Sequence, residues 1–179
     1  MKELIRKLVD VSSPSGHEKG VHQAILKELE GHIDGYRYDN IGNLIVWKTG
    51  VAEKPKKYLL DGHADEIGVV ITHIDEKGFL RIDPVGGVNP LMLLGTTLQF
   101  ESKETHEMIK GICSYESETF EDAKKNLQNP NYDVLFVDIG ASSKEEALRH
   151  VHVGHFGTYE SPFIDQNGKL ISKSMDDRI

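Results

Sequence analysis

The strongest constraint on how this chain folds is a series of short apolar runs between Ile67 and Phe163. Val69-Val70-Ile71, Phe79-Leu80-Arg81-Ile82, Thr97-Leu98-Gln99-Phe100, Met108 to Ile112 and Val134 to Val137 are each strand length. Glu76-Lys77-Gly78, Gly86-Gly87 and the polar stretch Glu101 to Glu107 separate them with turn formers. Strands that short and that regularly spaced, broken by glycine and polar clusters, predict a small β-barrel or sandwich. One helix is expected to interrupt it. Ser142 with Glu145, or Ser143 with Glu146, has the spacing of a reciprocal N-terminal cap ahead of Ala147 and Leu148.

The flanks read differently. Leu4, Ile5, Leu8 and Val9 recur at helical spacing, and Pro14 and Gly16 end the pattern. Val21, Ile25, Leu26 and Leu29 predict a second amphipathic helix over about 18–30. Tyr36 to Tyr38 and Leu44 to Trp47, on either side of Asn40-Ile41-Gly42-Asn43, predict a hairpin. Lys48 to Lys57 is a polar surface loop by composition, and Tyr58-Leu59-Leu60 an apolar strand ending in Asp61-Gly62-His63-Ala64-Asp65-Glu66. Gly168 to Ser172 predicts a last short strand before Met175-Asp176-Asp177-Arg178-Ile179. Helices and strands together place the chain in the α/β class.

Composition excludes several kinds of protein. Asp and Glu number 29 against 21 Lys and Arg, a formal charge of -8. A nucleic-acid binder needs clustered basic residues for phosphate contacts, so none is expected as a partner. No apolar stretch approaches the ~18 residues of a membrane span. The N-terminus lacks the apolar core of a secretory signal. A soluble, cytoplasmic protein without membrane partners is the expectation. Cys113 is the single cysteine, which rules out a disulfide or zinc ribbon within one chain and reads as a buried small hydrophobe. There is no glycine-rich phosphate loop and no nucleophile elbow.

In open α/β sheets, ligand groups collect beyond the carboxyl ends of strands, so the residues after Leu60 come first. His63-x-Asp65 puts an imidazole and a carboxylate on one face of an extended segment. Such a pair binds a metal through the imidazole while the carboxylate orients the ring. Asp176-Asp177 offers a carboxylate able to bridge two cations, whose spacing in such centres is ~3.5–4 Å. Taken singly, each motif is more often surface: a histidine beside an acid, or an acidic pair bound to Arg178. His150, His152 and His155 form an H-x-H-x-x-H cluster in which the first two could share a strand face, but no carboxylate lies within it, and a solvated edge is the preferred reading. His17 and His22 lie five apart on the second helix, a poor spacing for sharing a face.

Taken in order, the motifs are Asp39-x-Ile41-Gly42-Asn43-Leu44, Asp61 to Gly68, His73-Ile74-Asp75-x-x-Gly78-Phe79-Leu80, Gly86-Gly87, Asp138 to Glu146 and Ser174 to Arg178. Together they resemble the glutamyl and deblocking aminopeptidases, di-metal peptidases that form tetrahedral particles and include members named endoglucanase-like. The resemblance covers essentially the whole chain. It implies a partial catalytic α/β sheet domain over 1–66 plus 164–179. Residues 67–163 would be an inserted β-barrel-like (PDZ-like) domain through which a homo-oligomer assembles.

By the same resemblance His63 and Asp176 match metal ligands, Asp176 being the bridging carboxylate. Asp65 matches the catalytic-site acid behind His63, and Asp177 the neighbour completing the turn. Two divalent ions, zinc foremost with cobalt or manganese as other occupants, would activate a water against the first peptide bond of a peptide substrate. Family members are about twice as long, and their general base and remaining ligands would follow Ile179. The resemblance therefore implies an N-terminal portion, inactive alone, with its metal site incomplete or absent. A non-catalytic assembly protein that keeps the inserted β domain is the alternative. A glycosidase ranks last, because paired carboxylates leave His63 without a role. An incomplete sheet would also leave apolar surface exposed, so the inserted domain is expected to be the more ordered part and the chain to associate.

Overall fold

The structure is a computed structural model that describes residues 1–102, 105–117, 119–128 and 131–178. Lys103 and Glu104, within the polar stretch, and Ile179, which ends the last motif, lie outside the described residues.

Helix α1 (Lys2–Val9) buries Ile5 and Val9, one turn apart, and faces α2 (Lys19–Glu28), which buries Val21. The loop between them is fastened by Ser13, whose hydroxyl accepts the Val21 amide at 2.9 Å. Strands β1 (Gly35–Tyr38) and β2 (Leu44–Trp47) form an antiparallel hairpin. Its turn is set by Asp39. One carboxylate oxygen accepts the amides of Ile41 and Asn43 at 3.0 and 2.9 Å, the other accepts from the Asn43 side chain at 2.8 Å. Gly42 takes the left-handed φ of 94° that this turn requires.

Six strands then close a barrel: β3 (Gly68–Ile74), β4 (Leu80–Val85), β5 (Thr97–Glu101), β6 (Met108–Tyr115), β7 (Leu135–Asp138) and β8 (Phe156–Tyr159). Their order around the ring is β3-β4-β7-β6-β5-β8, every pairing antiparallel, and β8 returns to β3 through Val69 with Gly157 and Val70 with Phe156. Closure leaves no free sheet edge. All the strand runs named from the sequence between 69 and 137 appear. Among the described residues three α-helices, not one, interrupt them: α3 (Pro90–Leu93), α4 (Phe120–Gln128) and α5 (Lys144–Leu148). The first two lack the long apolar period that would have announced them. For α5 the structure selects the second capping pair: Ser143 Oγ accepts the Glu146 amide at 3.2 Å, and Glu146 reaches back to the Ser142 amide at 2.8 Å.

After the barrel, β9 (Ile164–Gln166) and β10 (Lys169–Ile171) form a second hairpin. Only β10 was expected. The core is unevenly placed: every member of the main apolar cluster lies between Val69 and Val151. The expected strand at Tyr58-Leu59-Leu60 does not form. These residues have no ladder partner and are 83%, 90% and 95% exposed. A strand exists only through its neighbour, and the described residues offer none there. No helix among the described residues is long and apolar enough to cross a membrane.

Candidate metal centre

The segment Asp61–Glu66 is an irregular loop, so His63 and Asp65 owe their proximity to side-chain bonding and not to a strand face. The His63 ring donates through Nδ1 to Asp65 Oδ1 at 3.0 Å. The other Asp65 oxygen accepts from the Ser15 hydroxyl. That chain fixes the ring's orientation and leaves Nε2 as the free position. Nε2 faces Asp177, whose Oδ1 lies 3.6 Å away.

Electrostatics follow from these contacts. The bond to Asp65, together with the charges of Asp65 and Asp177, raises the His63 pKa above its ordinary value. The Ser15 hydroxyl foremost, then His63, holds Asp65 below the usual carboxylate range. Burial, reinforced by the charge of adjacent Asp176, pushes Asp177 up. His63 and Arg178 pull the other way but do not offset burial, and a cation bound beside Asp177 would favour its charged form.

The acidic turn reaches this place because its neighbours are anchored. Arg178 is buried and Lys173 nearly so, and both meet the carboxylate of Glu66, itself 3% exposed. Asp176 is exposed on the same turn. Of the sequence candidates, the structure therefore brings together the loop of His63 and Asp65 and the turn of Asp176 and Asp177. The residue facing the imidazole is Asp177, which the motif alone cast as a neighbour. Arg178 also differs from its expected place beside the acidic pair, since it turns inward to carbonyls.

The other histidines take different places. His150 is exposed at the end of α5 and on no strand, so it shares no strand face with His152. His155 is buried and receives the His152 amide at Nδ1, 3.3 Å away, which corrects the solvated edge. His17 lies ahead of α2 and stacks on Phe156 with ring centroids 3.8 Å apart. With His22, Tyr38, His106 and Phe156 it lines a cleft of about 970 Å³ that does not include His63 or Asp177. Cys113 is fully buried, as expected.

An imidazole oriented by one carboxylate and aimed at another is a donor set suited to zinc and similar ions. The number of groups is short. Among the described residues no cluster of three or more His, Cys, Asp or Glu side chains is placed to hold an ion, whereas a protein zinc site uses about three or four.

Comparison with known proteins defines the class. Residues 42–179 match the M42 glutamyl aminopeptidase family, and the chain belongs to it. A relative in Acetivibrio thermocellus assigned to the aminopeptidases is 38% identical over 178 residues, covering 99% of this chain and 50% of its own length. The solved aminopeptidase of the archaeon Desulfurococcus kamchatkensis superposes with a TM-score of 0.86 at 30% identity, covering 98% of this chain and 48% of that one. The TET1 peptidase of Pyrococcus horikoshii, described as assembling into a tetrahedron or a large octahedral shell, gives 0.81 at 33% identity, covering 98% and 52%. The chain thus spans about half the length of the relatives it matches.

Ser15, Glu66 and Lys173 escaped sequence reasoning. The one available signal was Glu66 itself, an acid two residues ahead of the apolar strand that opens at Gly68.

Proposed function

We propose that this chain carries part of a metal-dependent aminopeptidase that releases N-terminal residues from peptides. His63 and a carboxylate of the Asp176-Asp177 turn would hold divalent cations, zinc foremost, and Asp65 orients the imidazole. Bound cations of this kind lower the pKa of a shared water and stabilise the oxyanion that forms at the peptide carbonyl. The residues described here orient and hold. They include no group placed as general base, so the 179-residue chain alone is expected to bind metal weakly and turn over no peptide. The observation that carries the reading is the His63 imidazole, bonded through Nδ1 to Asp65 and aimed through Nε2 at Asp177 within the family-matched region. The barrel supports a further element: neighbours with the same architecture include shell-forming assemblies, and we infer that 67–163 is a domain through which copies of this chain associate.

Zinc titration of the purified chain, followed by the His63 ring resonances, tests the reading. Binding is expected, and His63→Ala and Asp176→Ala should each weaken it by at least about tenfold, equivalent to ~1.4 kcal/mol. Equal zinc affinity in wild type and both variants would overturn it.

A further inference from the structure

Three charged side chains lie deeper than the groups they adjoin. The side chains of Glu66, Lys173 and Arg178 are 2%, 7% and 1% exposed. Burying ions costs several kcal/mol each unless their bonding is complete. Here it is. Glu66 Oε1 accepts the Ser13 amide at 2.9 Å, Lys173 Nζ at 2.9 Å and Arg178 Nη2 at 3.2 Å, while Oε2 accepts the Ser174 hydroxyl at 2.5 Å. Arg178 directs its remaining donors to the carbonyls of Leu8, Val11, Ala64 and Ser13, at 2.6, 2.5, 3.2 and 3.5 Å. Lys173 also donates to Thr158 Oγ1 on β8 at 3.3 Å. The backbone joins in, with the Glu66 amide on the Ser13 carbonyl at 3.1 Å and the Ser15 amide on the Glu66 carbonyl at 3.3 Å.

Three separate segments thus converge on one carboxylate and one guanidinium, residues 8–15, the loop 61–66 and the turn 173–178, and Lys173 ties them to the barrel wall at Thr158. Apart from a single parallel bridge of Glu66 with Pro14, neither the loop nor the turn pairs in a sheet or lies in a helix, so no ladder runs between them to set where His63 stands relative to Asp177. His63 is three residues from Glu66, and Asp177 is next to Arg178. Arg178 grips the imidazole loop at two points, Nε on the Ala64 carbonyl next to His63 and Nη2 on Glu66, each at 3.2 Å, so its guanidinium is the hydrogen-bonded link between that loop and the acidic turn. Arginine suits this role because its planar fork fixes several donor directions at once, which an ammonium does not.

We propose that Glu66 and Arg178, steadied by Lys173, are positioning residues that hold the imidazole loop and the acidic turn in register. The purpose of that register rests on the cation reading of the site; the register itself stands without a cation.

Glu66→Gln and Arg178→Lys, which preserve shape and charge respectively, test the proposal in the full chain. In the wild type a nuclear Overhauser effect is expected between the His63 ring protons and the Asp177 methylene. Both variants should lose it while the amide spectrum of β3 to β8 persists, and zinc affinity should fall at least about tenfold. A merely structural role predicts a lower melting temperature with the Overhauser effect and zinc affinity of the folded protein unchanged, and that result would overturn the proposal. So would loss of the barrel spectrum in both variants, because Glu66 would then support the whole fold. If the wild type binds no zinc, or His63→Ala binds it equally well, the cation reading fails and the Overhauser measurement still decides the register.

Discussion

The barrel and the segments that flank it are held together by different forces. Inside the ring, Val69, Ile71, Leu80, Leu98, Phe100, Cys113 and Val137 are almost wholly withdrawn from water, and each large apolar side chain so buried stabilises by ~1.5–3 kcal/mol. In the flanks the buried apolar side chains among the described residues are Ile5, Val9, Pro14 and Val21, and the deepest polar groups are Ser13, Glu66 and Arg178. Meanwhile Tyr58, Leu59 and Leu60 lie open to solvent. A closed ring of strands supplies its own partners. Two helices, two hairpins and a loop do not, and directional polar bonds replace the missing core. Those bonds give position where apolar packing would give stability, and the candidate site lies among them, outside the apolar core.

The comparison breaks most sharply in the core. Phe100→Ala should destabilise the chain by about 3–5 kcal/mol in denaturant titration, as expected for removing a buried aromatic ring. The Cys113 thiol offers a second gauge. Burial pushes its pKa up to about 11, so alkylation at neutral pH should be slow in the wild type and much faster in Phe100→Ala. An equal loss from Ile5→Ala would mean that the flank shares one core with the barrel, and the contrast would fall.

A smaller but more specific effect is expected at the seam between β8 and β5. A Cβ on Gly157 would sit 2.4 Å from the nearest carbon of the Phe100 ring, so the ring must move or the strands part. Gly157→Ala should cost about 1–3 kcal/mol. Combining it with Phe100→Leu should recover part of that loss, since the two changes share one volume and are not additive.

How much of this the sequence carried depends on what each feature needs. The strands from Val69 to Val137 were legible because period and turn chemistry are local properties. So was the turn at Asp39, where side chain and glycine are adjacent. Strand β8 escaped because Phe156-Gly157-Thr158 is apolar only in part, and its role depends on Phe100 filling the space above Gly157. Tyr58 to Leu60 reads as a strand yet forms none, because a ladder needs a second segment. At the site, His63, Asp65 and Asp176 could be named from their motifs. That Asp177 faces the imidazole could not, because it follows from Arg178 turning inward to Glu66, a contact 112 positions away in sequence.

The exposed apolar loop sharpens the comparison through an effect on association and none on folding. Leu59→Lys with Leu60→Glu removes side chains that touch little, so stability should stay within about 0.5 kcal/mol. Self-association in sedimentation should fall if those residues are the adhesive surface. A drop in stability comparable to Gly157→Ala would show that the segment packs in solution, and the flank would then be a more complete structure than its exposure indicates.

The smallest effect concerns Asp177, and its sign distinguishes a placed group from a stabilising one. Its pKa is raised by burial and by Asp176, so the unfolded chain loses this proton at lower pH than the folded one. Stability from the neutral form is complete below the ordinary carboxylate value and is lost as pH rises through the elevated one. Asparagine mimics the neutral form at every pH. Asp177→Asn should therefore match the wild type in acid and melt about 1 °C higher at neutral pH. The same substitution should weaken zinc binding, because it removes the charge that His63 faces. Asp65 should behave oppositely: its pKa is lowered, so its contribution is present above the ordinary carboxylate range and is lost as pH falls through the depressed value. Should Asp177→Asn prove less stable than the wild type at neutral pH, the acidic turn would be part of what holds the flank together, and the division between a barrel that stabilises and a flank that positions would not stand.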